Sequence, residues 1–189
     1  KEIQGLTHSV NLLIVSDHGM TELNASSAIP IHDLIEDKEN LNYVPRDALL
    51  MLYLKDSLEI ETIYSELKKK ENKQFTAYKK QDIPQHLHFG NSSRVGDIVL
   101  MANPPNYFDF EENSVGKGSH GFDPYSTKNM HGIFYAIGPD IKNKISIASF
   151  ENIHIYPLIA EILDLDYDSN SIDGKPEVLS NVIKARSKK

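Results

Sequence analysis

Short apolar runs recur along the chain, and turn-forming residues follow them. Leu12–Val15 is such a run and leads directly into Ser16-Asp17-His18-Gly19. Similar runs lie at Ala48–Leu54, Asp97–Ala102 and Ile133–Ile137. Apolar runs without polar alternation are typical of strands that are buried on both faces of a helix-covered sheet. We therefore predict a buried strand in each of these four ranges.

Two longer segments show the periodicity of amphipathic helices. Leu58–Lys70 and Asn152–Leu165 both place apolar residues three and four positions apart, with polar residues between them. Pro157 can be accommodated in the second helix only in or near the first turn. Strands that alternate with helices predict an α/β fold in which helices flank a largely parallel sheet.

Two segments interrupt this alternation. Gln81–Arg94 and Asn103–Met130 are rich in Pro, Gly, Asn and Asp, and the second is too long for a simple connection. Long loops on an α/β sheet are where binding and catalytic sites are usually built. We therefore look for functional residues at the strand ends and in these two segments.

Composition excludes several classes of function. The chain has 20 Lys and Arg against 27 Asp and Glu, so its net charge of -7 provides no basic face for a nucleic-acid polymer. It contains no Cys, so a transition metal would have to be held by His and carboxylate side chains. No apolar run approaches the roughly 20 residues that span a bilayer, so we predict no transmembrane segment in this chain.

The first candidate site residues are Asp17 and His18, which directly follow the first predicted strand. Carboxylate and imidazole are normal ligands for Zn²⁺, Mn²⁺ or iron. Both side chains could reach one metal only if the backbone leaves the β conformation, and Gly19 would ease that bend. The alternative interpretation is an ordinary polar turn at the end of a strand.

The second candidate is His120, in the segment GKGSHGFD at residues 116–123. The segment matches the G-x-G-x-x-G pattern of dinucleotide-binding loops, but an acidic loop precedes it and Pro124 follows it, so the required strand and helix are missing. The glycines would instead let His120 point into a site, with Asp123 as its hydrogen-bonding partner. The alternative is a flexible surface loop. His86 and His88 would share one face of an extended segment, most simply as a surface pair.

Taken in order, these pieces resemble a known family. NLLIVSDHGM, RVGDIVLMA, GSHGFD, MHGIFYAIGP and FENIHIYPLIAEILDL are similar in content and spacing to the C-terminal part of the type I phosphodiesterase and nucleotide pyrophosphatase family, within the alkaline phosphatase superfamily. The resemblance runs from about Asn11 to about Leu165. Pro124 departs from the Asn that is common after this motif in the family.

The resemblance implies a chemistry and a set of ligands. Family members carry two divalent metal ions, usually Zn²⁺, and a Thr or Ser nucleophile. Asp17 and His18 would then bind the metal that activates the nucleophile, and His120 the metal that faces the leaving group. The implied substrates are nucleotides or other small phosphodiesters, and the implied location is outside the cytoplasm, either periplasmic or secreted.

The same resemblance indicates that the site is incomplete. The family's nucleophile and its other ligands lie upstream of the string NLLIVSDHGM, where this chain has only residues 1–10. We therefore interpret residues 1–189 as the C-terminal portion of a single catalytic domain, which would bind metal weakly and not turn over substrate alone. A non-catalytic α/β binding module is the alternative, as is another activity of the superfamily, such as a phosphomonoesterase, a sulfatase or a cofactor-independent phosphoglycerate mutase. The metal assignment requires His18 and His120 to lie within about 12 Å of each other.

Overall fold

The computed structural model describes residues 10–35, 39–109 and 118–185. The chain divides into two compact units. Residues 18–131 form the unit that we call the central unit, and residues 1–17 with 132–189 form the one that we call the terminal unit.

The described residues form ten strands and four helices, joined by short 3-10 turns. The strands are β1 (Leu12–Val15), β2 (Thr21–Glu22), β3 (Ala28–Pro30), β4 (Leu41–Pro45), β5 (Leu49–Leu54), β6 (Phe75–Lys79), β7 (Ile98–Ala102), β8 (Tyr107–Asp109), β9 (Gly118–Ser119) and β10 (Phe134–Ile137). The helices are α1 (Ile31–Leu34), α2 (Ile60–Lys70), α3 (Ile155–Leu163) and α4 (Pro176–Leu179).

A four-stranded sheet forms the core of the central unit, in the order β4-β5-β7-β6. Every residue of β7 is buried. Ile98 and Leu100 pack in the larger apolar cluster, which includes Leu67 of α2, whereas Val99 and Met101 pack in a second cluster with residues of the 83–95 segment. The uninterrupted apolar run therefore does correspond to a strand covered on both faces, as predicted for Asp97–Ala102.

The direction of the strands differs from the prediction. All three pairings in the four-stranded sheet are antiparallel, and β3 with β8 is the one parallel pairing among the described strands. The prediction of a largely parallel sheet is thus wrong for this part of the chain. An apolar run reports burial of both faces and not the direction of the neighbouring strand, and here α2 and the 83–95 segment provide that burial within an antiparallel sheet.

Both predicted helices are present, with shorter bounds. α2 begins at Ile60 after a 3-10 turn at Ser57–Glu59, which Asp56 caps by accepting a hydrogen bond from the backbone N–H of Leu58. Pro157 is the third residue of α3, so it lies in the first turn, where its missing N–H costs no helical hydrogen bond.

The terminal unit contains the antiparallel pair β1 and β10, in which Leu13 lies opposite Ala136. One face of the pair packs on α3 and α4. The other face is open, and Ile14, Tyr135 and Ile137 are between 49% and 66% exposed. The prediction of burial on both faces is therefore wrong for Leu12–Val15 and Ile133–Ile137, because within the terminal unit helices cover one face of this pair.

Some elements were not predicted. β4 and β6 include polar and aromatic positions, so they lack the apolar runs that indicated the other strands. The segment Asn103–Met130, predicted as a loop, contains β8, β9 and a 3-10 turn at Lys128–Met130. Its residues 110–117, which include Gly116, Lys117 and the acidic residues Glu111 and Glu112, lie outside the described residues.

Candidate metal centre

Asp17 lies two residues after the end of β1 and is exposed. The preceding residue is fixed to the partner strand: the N–H of Ser16 donates to the carbonyl of Ile133 at 3.2 Å, and the Ser16 hydroxyl accepts from the N–H of Ile133 at 2.8 Å. The backbone carbonyl of Asp17 accepts a hydrogen bond from the side-chain amide of Asn152 at 3.2 Å. Neighbouring contacts in the terminal unit therefore hold the backbone at Asp17.

Gly19 is required by lack of space. Its N–H donates to the carbonyl of Met130 at 2.8 Å, and a Cβ at this position would overlap the carbonyl oxygen of Asn129. The predicted bend at Gly19 does not use a left-handed backbone, because Gly19 is not among the described glycines with positive φ. The reason for the glycine is instead the close approach of the 129–131 backbone, which locks the residue after His18 in place.

One ring nitrogen of His18 contacts a backbone carbonyl. Its Nδ1 lies 2.7 Å from the carbonyl oxygen of Gly19. A carbonyl can only accept, so Nδ1 donates in this contact, and the lone pair of a neutral imidazole would then be on Nε2. Histidines that bind metals commonly use this arrangement, with one nitrogen donating to a carbonyl and the other bound to the metal. His18 therefore has the donor chemistry of a metal ligand.

The structure brings His120 against His18. Their ring centroids are 3.8 Å apart and the ring planes differ by 15°, so the imidazoles are stacked. The pairing of β2 with β9 makes this possible. Thr21 follows His18 by three residues, Ser119 directly precedes His120, and Thr21 and Ser119 are partners in the antiparallel ladder. Gly121 then turns the chain with φ of +91°, a conformation that favours glycine. The distance is well inside the limit of about 12 Å that the metal assignment requires.

The stacked rings place two potential metal-binding groups side by side. Imidazole nitrogens are normal ligands for Zn²⁺. Within residues 10–35, 39–109 and 118–185, no three His, Asp or Glu side chains are grouped closely enough to hold one ion.

Asp123 does not have the contacts that we predicted for it. Both of its carboxylate oxygens lie 3.2 Å from Nε2 of His86, and one accepts the backbone N–H of Tyr125 at 2.8 Å. The expected partnership of Asp123 with His120 is thus replaced by one with His86. His88 adopts a left-handed conformation after a 3-10 turn at Gln85–Leu87, so the segment is not extended as the shared-face interpretation required.

One further contact near His120 was not predicted from the sequence. The hydroxyl of Ser119, which is buried, donates to a carboxylate oxygen of Asp47 at 2.6 Å. Asp47 precedes Ser119 by 72 residues, and it follows a Pro-Arg dipeptide that reads as an ordinary polar turn. Only the tertiary structure shows that Asp47 contacts Ser119, before His120, and that His86 contacts Asp123, after it.

The fold of this chain is similar to that of solved structures of known proteins. The solved structure of murine ectonucleotide pyrophosphatase/phosphodiesterase 5, an inactive form in complex with AMP, matches with a TM-score of 0.81 and 25% identity, over 92% of this chain and 45% of that one. The fold is therefore the α/β fold of the alkaline-phosphatase-like proteins.

The family follows from the sequence. The model of the family described as type I phosphodiesterase / nucleotide pyrophosphatase matches residues 1–132, and the chain belongs to this family. Ectonucleotide pyrophosphatase/phosphodiesterase family member 7 of Rattus norvegicus is 33% identical over 192 residues, which cover 96% of this chain and 42% of the relative. Venom phosphodiesterase CdcPDE of Crotalus durissus collilineatus is 30% identical, over 96% of this chain and 22% of the relative.

These matches confirm the resemblance inferred from the sequence motifs. The chain spans less than half the length of these relatives. Among the described residues, no helix is long and apolar enough to cross a membrane.

Proposed function

We propose that the protein containing this segment hydrolyses phosphodiester or pyrophosphate bonds in nucleotides or related small molecules. The stacked pair of His18 and His120, in a chain of this family, is the observation that carries the proposal. The relatives are named as nucleotide pyrophosphatases and phosphodiesterases, and the murine structure holds AMP, which supports a nucleotide substrate.

Asp17, His18 and His120 would serve as ligands of two divalent metal ions, with Zn²⁺ as the expected metal. Bound cations would supply charge neutralisation at the phosphoryl oxygens and a lowered pKa for an oxygen nucleophile. His18 would bind an ion through Nε2, because its Nδ1 contacts the carbonyl oxygen of Gly19. The stacking of His120 on His18 would keep the two imidazoles together.

Residues 1–189 would form the C-terminal portion of the catalytic domain. The preceding portion would then provide the remaining ligands and a Thr or Ser hydroxyl. This hydroxyl would attack phosphorus, displace the alcohol or phosphate leaving group and form a phosphoryl-ester enzyme, whose ester bond water would then hydrolyse to free the hydroxyl. We expect the enzyme to act outside the cytoplasm, since its relatives are named as ecto-enzymes and venom proteins.

The test uses the protein expressed from the complete gene. Zinc content is measured after dialysis, and hydrolysis of bis(p-nitrophenyl) phosphate is measured for the wild type, His18→Ala and His120→Ala. We expect both variants to lose at least about 100-fold in kcat/KM, as is typical when a metal-binding group is removed. His32→Ala is the matched control, because the side chain of His32 is 69% exposed and its contact in the described part of the chain is with the carboxylate of Asp33.

Retained hydrolysis in His120→Ala, with zinc content unchanged, would refute the ligand assignment. A non-catalytic binding module is the second candidate, favoured by the lack of a three-ligand group among the described residues. It would be supported if the complete gene encodes no upstream Thr or Ser nucleophile and the purified protein neither binds zinc nor hydrolyses the ester.

A further inference from the structure

The segment that carries His120 has little regular backbone structure to fix it. Among the described residues, β9 consists of Gly118 and Ser119, which pair with the two residues of β2. His120 itself is exposed, and Gly121 turns the chain immediately after it. A ladder this short provides few hydrogen bonds, so other contacts must determine where the imidazole of His120 lies.

The residue before His120 is anchored to the four-stranded sheet by a side-chain contact. The Ser119 hydroxyl donates to the Asp47 carboxylate at 2.6 Å, and Ser119 is only 7% exposed. Hydrogen bonds from a hydroxyl to an ionised carboxylate are short and roughly twice as strong as neutral ones. This contact joins two segments that are 72 residues apart. It fixes the position of Ser119, which is bonded directly to His120.

Asp47 is itself well placed to act as an anchor. It lies in the connection between β4 and β5, and its carbonyl accepts the N–H of Phe108 at 2.9 Å. The next carbonyl, that of Ala48, accepts the N–H of Ala102 at 2.9 Å. Both bonds connect this turn to the buried strands β7 and β8, so the backbone that follows the Asp47 side chain is held in place.

The residues after His120 are held as well. Phe122 is 4% exposed and belongs to the larger apolar cluster, and Asp123 contacts His86. Thus His120 is an exposed residue between two fixed points. Of these two fixed points, the contact of Asp47 with Ser119 is the nearer one, because Ser119 adjoins His120 in the chain.

We propose that Asp47 is a positioning residue, which holds the imidazole of His120 against that of His18 by binding the Ser119 hydroxyl. The role of the stacked pair as metal ligands rests on the proposed function, whereas the stacking itself does not. The proposal can therefore be tested on the 189-residue chain by a readout that needs neither metal nor substrate.

The first experiment uses NMR on the chain with isotopically labelled histidine. In the wild type we expect Overhauser contacts between ring protons of His18 and His120. Asp47→Ala should abolish these contacts and shift both rings, whereas Asp47→Asn should retain them, because its amide oxygen can still accept from Ser119. The matched control is Asp82→Ala, since Asp82 is an exposed residue of the same unit.

Ser119→Ala removes the same hydrogen bond from the other side and decides the question if Asp47→Ala does not fold. Loss of the ring contacts in Ser119→Ala supports the proposal. Ring contacts and shifts that stay unchanged in a folded Asp47→Ala or Ser119→Ala variant would overturn it, as would their loss in the Asp82→Ala control.

The second experiment measures zinc affinity, by competition with a chelator, in the protein from the complete gene. Asp47→Ala should weaken zinc binding about tenfold, at the low end of the effect of residues that orient metal ligands, and Asp47→Asn should restore most of it. If the wild type binds no zinc, the proposed function fails while the NMR result still stands. If zinc affinity and ring contacts are both unchanged in Asp47→Ala, the positioning role of Asp47 fails.

Discussion

The hydroxyl of Tyr107 is the clearest case in which removing one atom should stabilise the protein. Tyr107 is 3% exposed, and its hydroxyl has no hydrogen-bond partner within residues 10–35, 39–109 and 118–185. A buried polar group without a partner costs about 1–3 kcal/mol, because it loses its bonds to water. Tyr107→Phe removes this cost and leaves the packing of the ring intact, so we expect the free energy of unfolding to rise by about 1–3 kcal/mol.

The matched control is Tyr53→Phe. The hydroxyl of Tyr53 donates to the carbonyl of Arg94 at 2.9 Å, so its removal loses a satisfied hydrogen bond. Such a bond contributes about 0.5–1.5 kcal/mol, and this variant should be destabilised by up to that amount. Urea unfolding at pH 7, followed by circular dichroism, would measure both variants against the wild type.

The pH dependence provides a second readout for the same residue. Burial, followed by the nearby carboxylates of Asp109 and Asp47, raises the pKa of Tyr107 above its usual value. The unfolded chain therefore releases the phenol proton first, near pH 10, so the wild type should lose stability as the pH rises above about 10. Tyr107→Phe should lack this part of the loss. A variant that is less stable than the wild type at pH 7 would show that the hydroxyl has a partner and would refute the reasoning.

Two further substitutions test the packing and polar contacts of each unit. Leu100→Ala should lower the free energy of unfolding by about 2–5 kcal/mol in urea titrations, because Leu100 is fully buried in β7. The control Leu58→Ala should change the free energy of unfolding little, because Leu58 is 85% exposed. Equal effects of the two substitutions would contradict the assigned core. His154→Ala should destabilise by about 1–3 kcal/mol, because Nδ1 of the buried His154 accepts the N–H of Lys175 at 2.9 Å, and unchanged thermal unfolding would show that water replaces this bond.

Local patterns were sufficient to locate much of the secondary structure. The apolar runs that became β5 and β7 and the periodic segments that became α2 and α3 were all predicted, with ends that moved by a few residues. These predictions succeed because backbone geometry sets the spacing of buried side chains within one element. β4 and β6 were not predicted, because their stability comes from neighbouring strands and not from a local pattern.

The motifs likewise identified the candidate ligands Asp17, His18 and His120, but not their surroundings. That His18 and His120 stack depends on the pairing of β2 with β9, and these strands are too short to be recognised in the sequence. The partners of the His120 segment could not be predicted from the sequence either. Asp47 and His86 are polar residues in turns, and they lie 72 and 37 residues from the side chains that they contact.

The sequence alone thus determined the family, the residue types available to bind metal and the location of the main apolar elements. Only the tertiary structure decided the direction of the strands, which of the apolar faces are covered and which polar side chains meet around His120. The physical reason is that periodicity and motif chemistry are properties of neighbouring residues, whereas strand direction and polar pairing depend on which distant segments pack together.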